Sequence, residues 1–114
     1  MENCIFCKIR DGEIPSKKYF ENENFFVIRD IDAKAKEHYL AITKKHFKLL
    51  SKIDSEGLKQ IEDIFTTIPK IANELGLTNG FRLIINQGDD AGQSVPHLHV
   101  HILGGEQLGW NPNK

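Results

Sequence analysis

Apolar residues along the chain gather in short runs bounded by turn residues, with strict alternation over residues 97–102, and in one long stretch with the 3.6-residue period of a helix. Residues 17–21 and 25–29 read as two strands of a hairpin, joined by the turn-prone Asn22-Glu23-Asn24. Residues 38–43 read as a third strand and 81–86 as a fourth. Between them, Asp54 or Ser55 is suited to cap a long helix that carries Leu58, Ile61, Phe65, Ile68, Ala72 and Leu75 at helical spacing. Pro69 is expected to bend that helix and Gly76 to stop it. Residues 4–10 predict a short N-terminal helix, ended by Asp11-Gly12 and the extended Ile14-Pro15. The pattern predicts a single α+β domain over residues 1–114: a mainly antiparallel sheet of about five strands, one long helix and a short N-terminal one.

The last strand, residues 97–103, reads His-Leu-His-Val-His-Ile-Leu. Side chains of a strand alternate between faces, so His97, His99 and His101 share one face while Leu98, Val100 and Ile102 turn to a core. Three groups that titrate near neutrality, in register behind the Gly-bearing loop 88–94, mark a functional face; a single histidine there would be an ordinary surface residue. Alternate strand residues lie about 6.5–7 Å apart. Two such rings can converge on a metal, or one can face a ligand while its neighbours hydrogen-bond around it.

Composition narrows the classes. Fifteen Lys and Arg against sixteen Asp and Glu leave no net field to recruit nucleic acid, and 39% hydrophobic with 27% charged residues describes a water-exposed globule. No apolar run approaches the length of a membrane span, and Met1-Glu2-Asn3 does not begin an export signal, so a cytoplasmic location is expected. In a reducing compartment Cys4 and Cys7 are thiols or metal ligands rather than a disulfide.

The segment 92–105, Gly-Gln-Ser-Val-Pro-His-Leu-His-Val-His-Ile-Leu-Gly-Gly, resembles the signature of the histidine triad (HIT) superfamily, and in particular its HINT branch of histidine triad nucleotide-binding proteins. Two further blocks match in order: Asp30-Ile31 with 38–46 (His-Tyr-Leu-Ala-Ile-Thr-Lys-Lys-His), and Cys4-Ile5-Phe6-Cys7-Lys8-Ile9 leading to Glu13-Ile14-Pro15. The resemblance implies the HIT fold, a homodimer, and hydrolysis of purine nucleoside phosphoramidates of the AMP-lysine or AMP-NH2 type through a nucleotidyl-histidine. It further implies that Asp30, Ile31 and Asn86 line the nucleotide site, with Phe6 and Ile9 beside the base. Thr43, Pro96 and Gly109 depart from the branch pattern, and the tail Gly104 to Pro112 resembles its Trp-bearing C-terminus. A dinucleoside polyphosphate hydrolase of the Fhit type and a nucleotide-binding regulatory protein are the alternatives.

For a phosphate over the histidine face, His99 is the expected nucleophile and His101 the donor to a phosphoryl oxygen, with His97 counted in the catalytic set and Ser94 or a neighbouring imidazole passing the proton to the leaving amine. Gly92, Gln93 and Ser94 are expected to add backbone N–H groups, an amide and a hydroxyl around the anion. Cys4 and Cys7 have the spacing of two thiolates on one metal, and His46 with His97 completes a Cys2His2 set for a structural zinc; no catalytic metal is expected. A catalytic zinc on His97 and His99 is a further alternative, for which no acidic ligand lies nearby in sequence.

Overall fold

Five strands form one wholly antiparallel sheet in the order β1-β2-β3-β5-β4 in the computed structural model, which describes residues 3–110. The strands are β1 (Phe20–Glu21), β2 (Phe25–Arg29), β3 (Glu37–Thr43), β4 (Phe81–Ile84) and β5 (His99–Gly104); the helices are α1 (Ile5–Arg10) and α2 (Ser55–Glu74). The α+β class, the five strands and both helices agree with the sequence pattern. No described helix is long and apolar enough to cross a membrane.

Each face of the sheet carries one helix. The odd-numbered apolar residues Phe25, Val27, Tyr39 and Ala41, with Val100 and Ile102, pack under Ile64, Ile68, Ile71 and Ala72 of α2. Phe26, Ile28, Leu40 and Ile42 point the other way and are covered by Cys4, Phe6, Cys7 and Ile9 of the α1 segment. The alternation of β2 and β3 thus serves two cores, which is why both strands read as nearly continuous apolar runs.

Several boundaries differ from the sequence reading. The helix α2 is capped by the Asp54 side chain on the Gly57 N–H at 2.9 Å, runs through Pro69, and stops at the left-handed Gly76. Its buried stripe is Ile61, Ile64, Ile68 and Ile71, whereas Leu58 and Phe65, expected in the core, are exposed. The cause is Gly57, whose bare Cα sits against Phe47 and Ile53 and turns that side of the helix inward. The strand expected at residue 97 begins at His99: Pro96 has no N–H, the His97 N–H closes a tight turn on Val95 O, and the Leu98 N–H bonds Phe47 O outside the ladder. The first strand is likewise shortened to two residues, and β4 ends at Ile84.

Candidate active site

The register of β3 against β5 assembles the site. Ile42 faces His99, Leu40 faces His101 and His38 faces Leu103, so period-two alternation puts His38, His99 and His101 on the same side of the sheet as α1. This face also opens into a cleft of about 530 Å³ lined by Asp30, Asp32, Lys34, His38, Ile84, Asn86, Asp90, Ala91, Gly92, Ser94, His99, His101 and Leu103, with no residue of α1 in its lining.

Hydrogen-bond partners decide which ring nitrogens carry protons. A carbonyl can only accept, so the His99 contact at 2.7 Å is Nδ1–H donating to the His97 carbonyl; Nε2 keeps its lone pair. His38 Nδ1 accepts the Lys34 N–H at 2.9 Å, which places the His38 proton on Nε2. That proton is donated to His101 Nδ1 at 2.9 Å, and the neutral His101 must then carry its own proton on Nε2. The result is an unprotonated nitrogen on His99 beside a donor ring on His101, with the two ring centroids 5.0 Å apart. Burial keeps the set neutral: it pushes His101 down to about 4 and His99 and His38 below their ordinary value, outweighing the opposite pull of the Asp30 carboxylate on each. Asp30 Oδ2 stands 3.4 Å from His38 Nε2.

Of the residues expected to hold a nucleotide, Asp30, Asn86, Gly92, Ser94, His99 and His101 line the cleft. Ile31 is fully exposed next to Asp30, outside that lining. Gln93 laces the loop instead: its Oε1 accepts from Gly88 N–H at 2.8 Å, and its Nε2 reaches Lys48 O and Val95 O. The Gly92 and Gln93 N–H groups are engaged inside the turn, on Asp89 O and Gly88 O, because a short 3-10 turn at Asp89–Ala91 closes the loop on itself. Phe6 and Ile9 are buried beneath α1. The tail keeps Trp110 exposed, and Arg82 Nη1 donates to Gly109 O at 2.6 Å; Asn111 and Pro112 lie outside the described residues. Sequence reasoning missed His38 as a working residue. Its parity with Leu40 and Ile42 was visible, but only the β3–β5 register brings it beside His101.

His97 turns away from the cleft. Its Nε2–H donates to Thr43 O at 2.7 Å, which leaves Nδ1 as a lone pair facing Cys4 Sγ at 3.3 Å, Cys7 Sγ at 3.6 Å and His46 Nδ1 at 3.1 Å; His46 Nδ1 is 3.3 Å from Cys7 Sγ. Four ligand atoms within 4.8 Å of one another make a group able to hold a metal ion. A tetrahedral zinc with bonds of about 2.3 Å to sulfur and about 2.0–2.1 Å to nitrogen sets S–N and N–N separations of about 3.3–3.6 Å, so the donor set fits that cation. Without a cation, burial and the neighbouring Cys4 push the Cys7 thiol up to about 11; a dication would supply the charge that favours thiolate. Asp30, His38 and His101 also converge, but the Lys34 N–H holds His38 with its proton on the Nε2 that would have to ligate.

Known proteins share this fold and much of this sequence. The HIT domain family model matches residues 11–108. The protein HitA of Neisseria gonorrhoeae is 41% identical over 104 residues, covering 91% of this chain and 97% of that protein. A HIT family hydrolase from Clostridium thermocellum is 43% identical with a TM-score of 0.89 over 96% of each chain. A histidine triad nucleotide-binding protein from Candida albicans is 33% identical, with a TM-score of 0.80 over 95% of this chain and 82% of that one.

Proposed function

The chain belongs to the HIT domain family, and on that premise we propose that it is a nucleotide-binding hydrolase that cleaves purine nucleoside phosphoramidates through a nucleotidyl-His99 intermediate. The observation that carries the reading is the His97 carbonyl on His99 Nδ1–H, which frees Nε2 as a neutral nucleophile in a cleft of nucleotide size. In the first step the Nε2 lone pair attacks the α-phosphorus and the P–N bond breaks, its electron pair leaving on nitrogen. That nitrogen must gain a proton as it departs; Ser94, in the cleft lining, is positioned as the group that passes it. His101 Nε2–H donates to a non-bridging oxygen as charge builds there. Water then attacks the same phosphorus and gives up a proton that replaces the one passed to the amine; the P–Nε2 bond breaks, its electron pair returns to His99, and the nucleoside monophosphate leaves. Asp30 is acceptor-only and suits ribose hydroxyls, with Asn86 and Gly92 in the same lining.

Zinc is the cation we assign to Cys4, Cys7, His46 and His97, where it would tie α1 to the end of β3 and to β5. We also read the chain as a homodimer: β4 is a sheet edge, Phe81 on it is exposed, and so are Leu58 and Phe65 of α2. The test of function is turnover of an adenosine phosphoramidate against diadenosine polyphosphates by the zinc-loaded enzyme, with single-turnover quenching to trap phosphorus on His99. His99→Ala should remove turnover and keep AMP binding. Activity near wild type in that variant would sink the covalent mechanism, and preference for the polyphosphate would move the chain to the Fhit-type reading.

A further inference from the structure

His97 takes part in two arrangements at once. Its ring Nδ1 is one of the four metal-ligating atoms, 3.3 Å from Cys4 Sγ, while its carbonyl oxygen holds the His99 Nδ1–H at 2.7 Å. Phe6 makes a second bridge between the same two places. It stands on α1 between Cys4 and Cys7, is 5% exposed, and meets the His97 and His99 rings edge-on at 5.9 and 5.1 Å between centroids. Cys4 Sγ also accepts the Cys7 N–H at 3.4 Å, so the placement of the thiols sets the turn of helix that carries Phe6.

A six-residue helix has little stability of its own, and its position depends on what anchors it. Cys4, Phe6, Cys7 and Ile9 anchor α1 by burial; ligation of both cysteines together with His46 and His97 would cross-link it to the loop after β3 and to the residues before β5. Besides the His101 ring, two contacts orient the His99 imidazole, the carbonyl of His97 and the edge of Phe6, and both come from residues held by that cross-link.

We propose that the Cys4–Cys7–His46–His97 centre positions the nucleophile, and that Phe6 is the positioning residue that transmits α1 placement to the His99 ring. The inference rests on His99 being the nucleophile. It makes the centre more than a staple for the fold, because a shift of α1 or of His97 moves the attacking nitrogen off line with the phosphorus. Misplacement by an ångström costs about 10²-fold in rate.

The experiment pairs kinetics with a spectroscopic readout. Phe6→Ala and Phe6→Leu are purified with zinc, their metal content is measured, and kcat and KM are taken on an adenosine phosphoramidate. The His99 Nδ1 proton is followed by 15N-edited imidazole NMR in wild type before and after zinc removal by chelator. Expected results are as follows: Phe6→Ala keeps about one zinc per chain, loses kcat by roughly 10- to 10²-fold and leaves KM within a few-fold; Phe6→Leu, which refills the space, recovers most of kcat. Zinc removal should broaden or abolish the His99 Nδ1–H signal while AMP still binds. A raised KM at unchanged kcat in Phe6→Ala would overturn the proposal and make Phe6 a contact of the base, and so would an unaltered His99 proton in the zinc-free protein. If chelation unfolds the chain, the two Phe6 variants decide by kinetics and by the same proton signal. If wild type does not turn over a phosphoramidate, the functional reading fails separately, and the proton signal alone still decides positioning.

Discussion

Replacing His38 by Phe tests the proton arrangement on which the chemistry depends. An aromatic ring is kept at a site that is 2% exposed, but both nitrogens go: the acceptor of the Lys34 N–H and the donor to His101 Nδ1, each at 2.9 Å. Lys34 is in an exposed loop, and water can replace its lost partner, so that bond is a minor term. His101 matters more. Its Nδ1 lone pair loses the only donor that selects the Nε2–H tautomer, and a buried acceptor left unpaired costs about 1–3 kcal/mol. At about 1.4 kcal/mol per decade, that is enough to move the tautomer ratio by roughly 10- to 10²-fold toward Nδ1–H. A His101 with its proton on Nδ1 presents a lone pair to the phosphoryl oxygen where a donor is needed. Loss of one such preorganised donor slows chemistry by about 10²–10³, so kcat should fall by about 10²-fold with KM little changed. Steady-state kinetics on an adenosine phosphoramidate gives kcat, and 15N shifts of the His101 ring report the tautomer directly. Turnover within a few-fold of wild type, with His101 shown to have switched its proton, would refute the reasoning.

Other expectations concern pH, backbone and assembly. His101 sits at about 4 in the folded protein against an ordinary value near 6.5, so the unfolded chain binds its proton first as pH falls; the stability it contributes is complete above about 6.5 and is lost as pH falls toward 4, with a slope for this one ring of at most about 1.4 kcal/mol per pH unit, read as the difference between wild type and His101→Gln in urea titrations at stepped pH. Burial lowers His99 as well, so the acid limb of kcat/KM should have its midpoint below 6.5; a midpoint above that value would contradict the neutral, desolvated nucleophile. Gly105→Ala should destabilise by about 1–3 kcal/mol, because the position has φ +83° and a Cβ there would lie 2.7 Å from Glu37 Cγ; an unchanged urea midpoint would refute the clash. Sedimentation at micromolar concentration should give a twofold dimer that Phe81→Glu weakens, and a monomeric wild type would rule out pairing through the β4 edge.

Much of the molecule is legible along the chain. Period-two alternation locates β5, apolar runs bounded by turn residues locate β2 and β3, and Asp54 with Gly76 brackets α2 to within a residue, since capping, turns and strand alternation are local physics. The Cys4–Cys7 spacing and the imidazoles of His97, His99 and His101 mark both chemical centres for the same reason. Local rules do not say which stripe of a helix faces a sheet: Ile64 and Ile71 took the places expected for Leu58 and Phe65 because Gly57 lies against Phe47 and Ile53. Nor do they say that Pro96 delays the last strand to His99 and so turns His97 into the cysteine cluster while its carbonyl stays on His99. The largest omission was His38. Its distance from His101 in sequence is sixty-three residues, and the protons on both rings follow from a register between β3 and β5 that long-range packing sets. Residue types and alternation determine which groups are present and on which face; protonation of a neutral imidazole depends on its hydrogen-bond partners, and those are chosen only when distant strands pair.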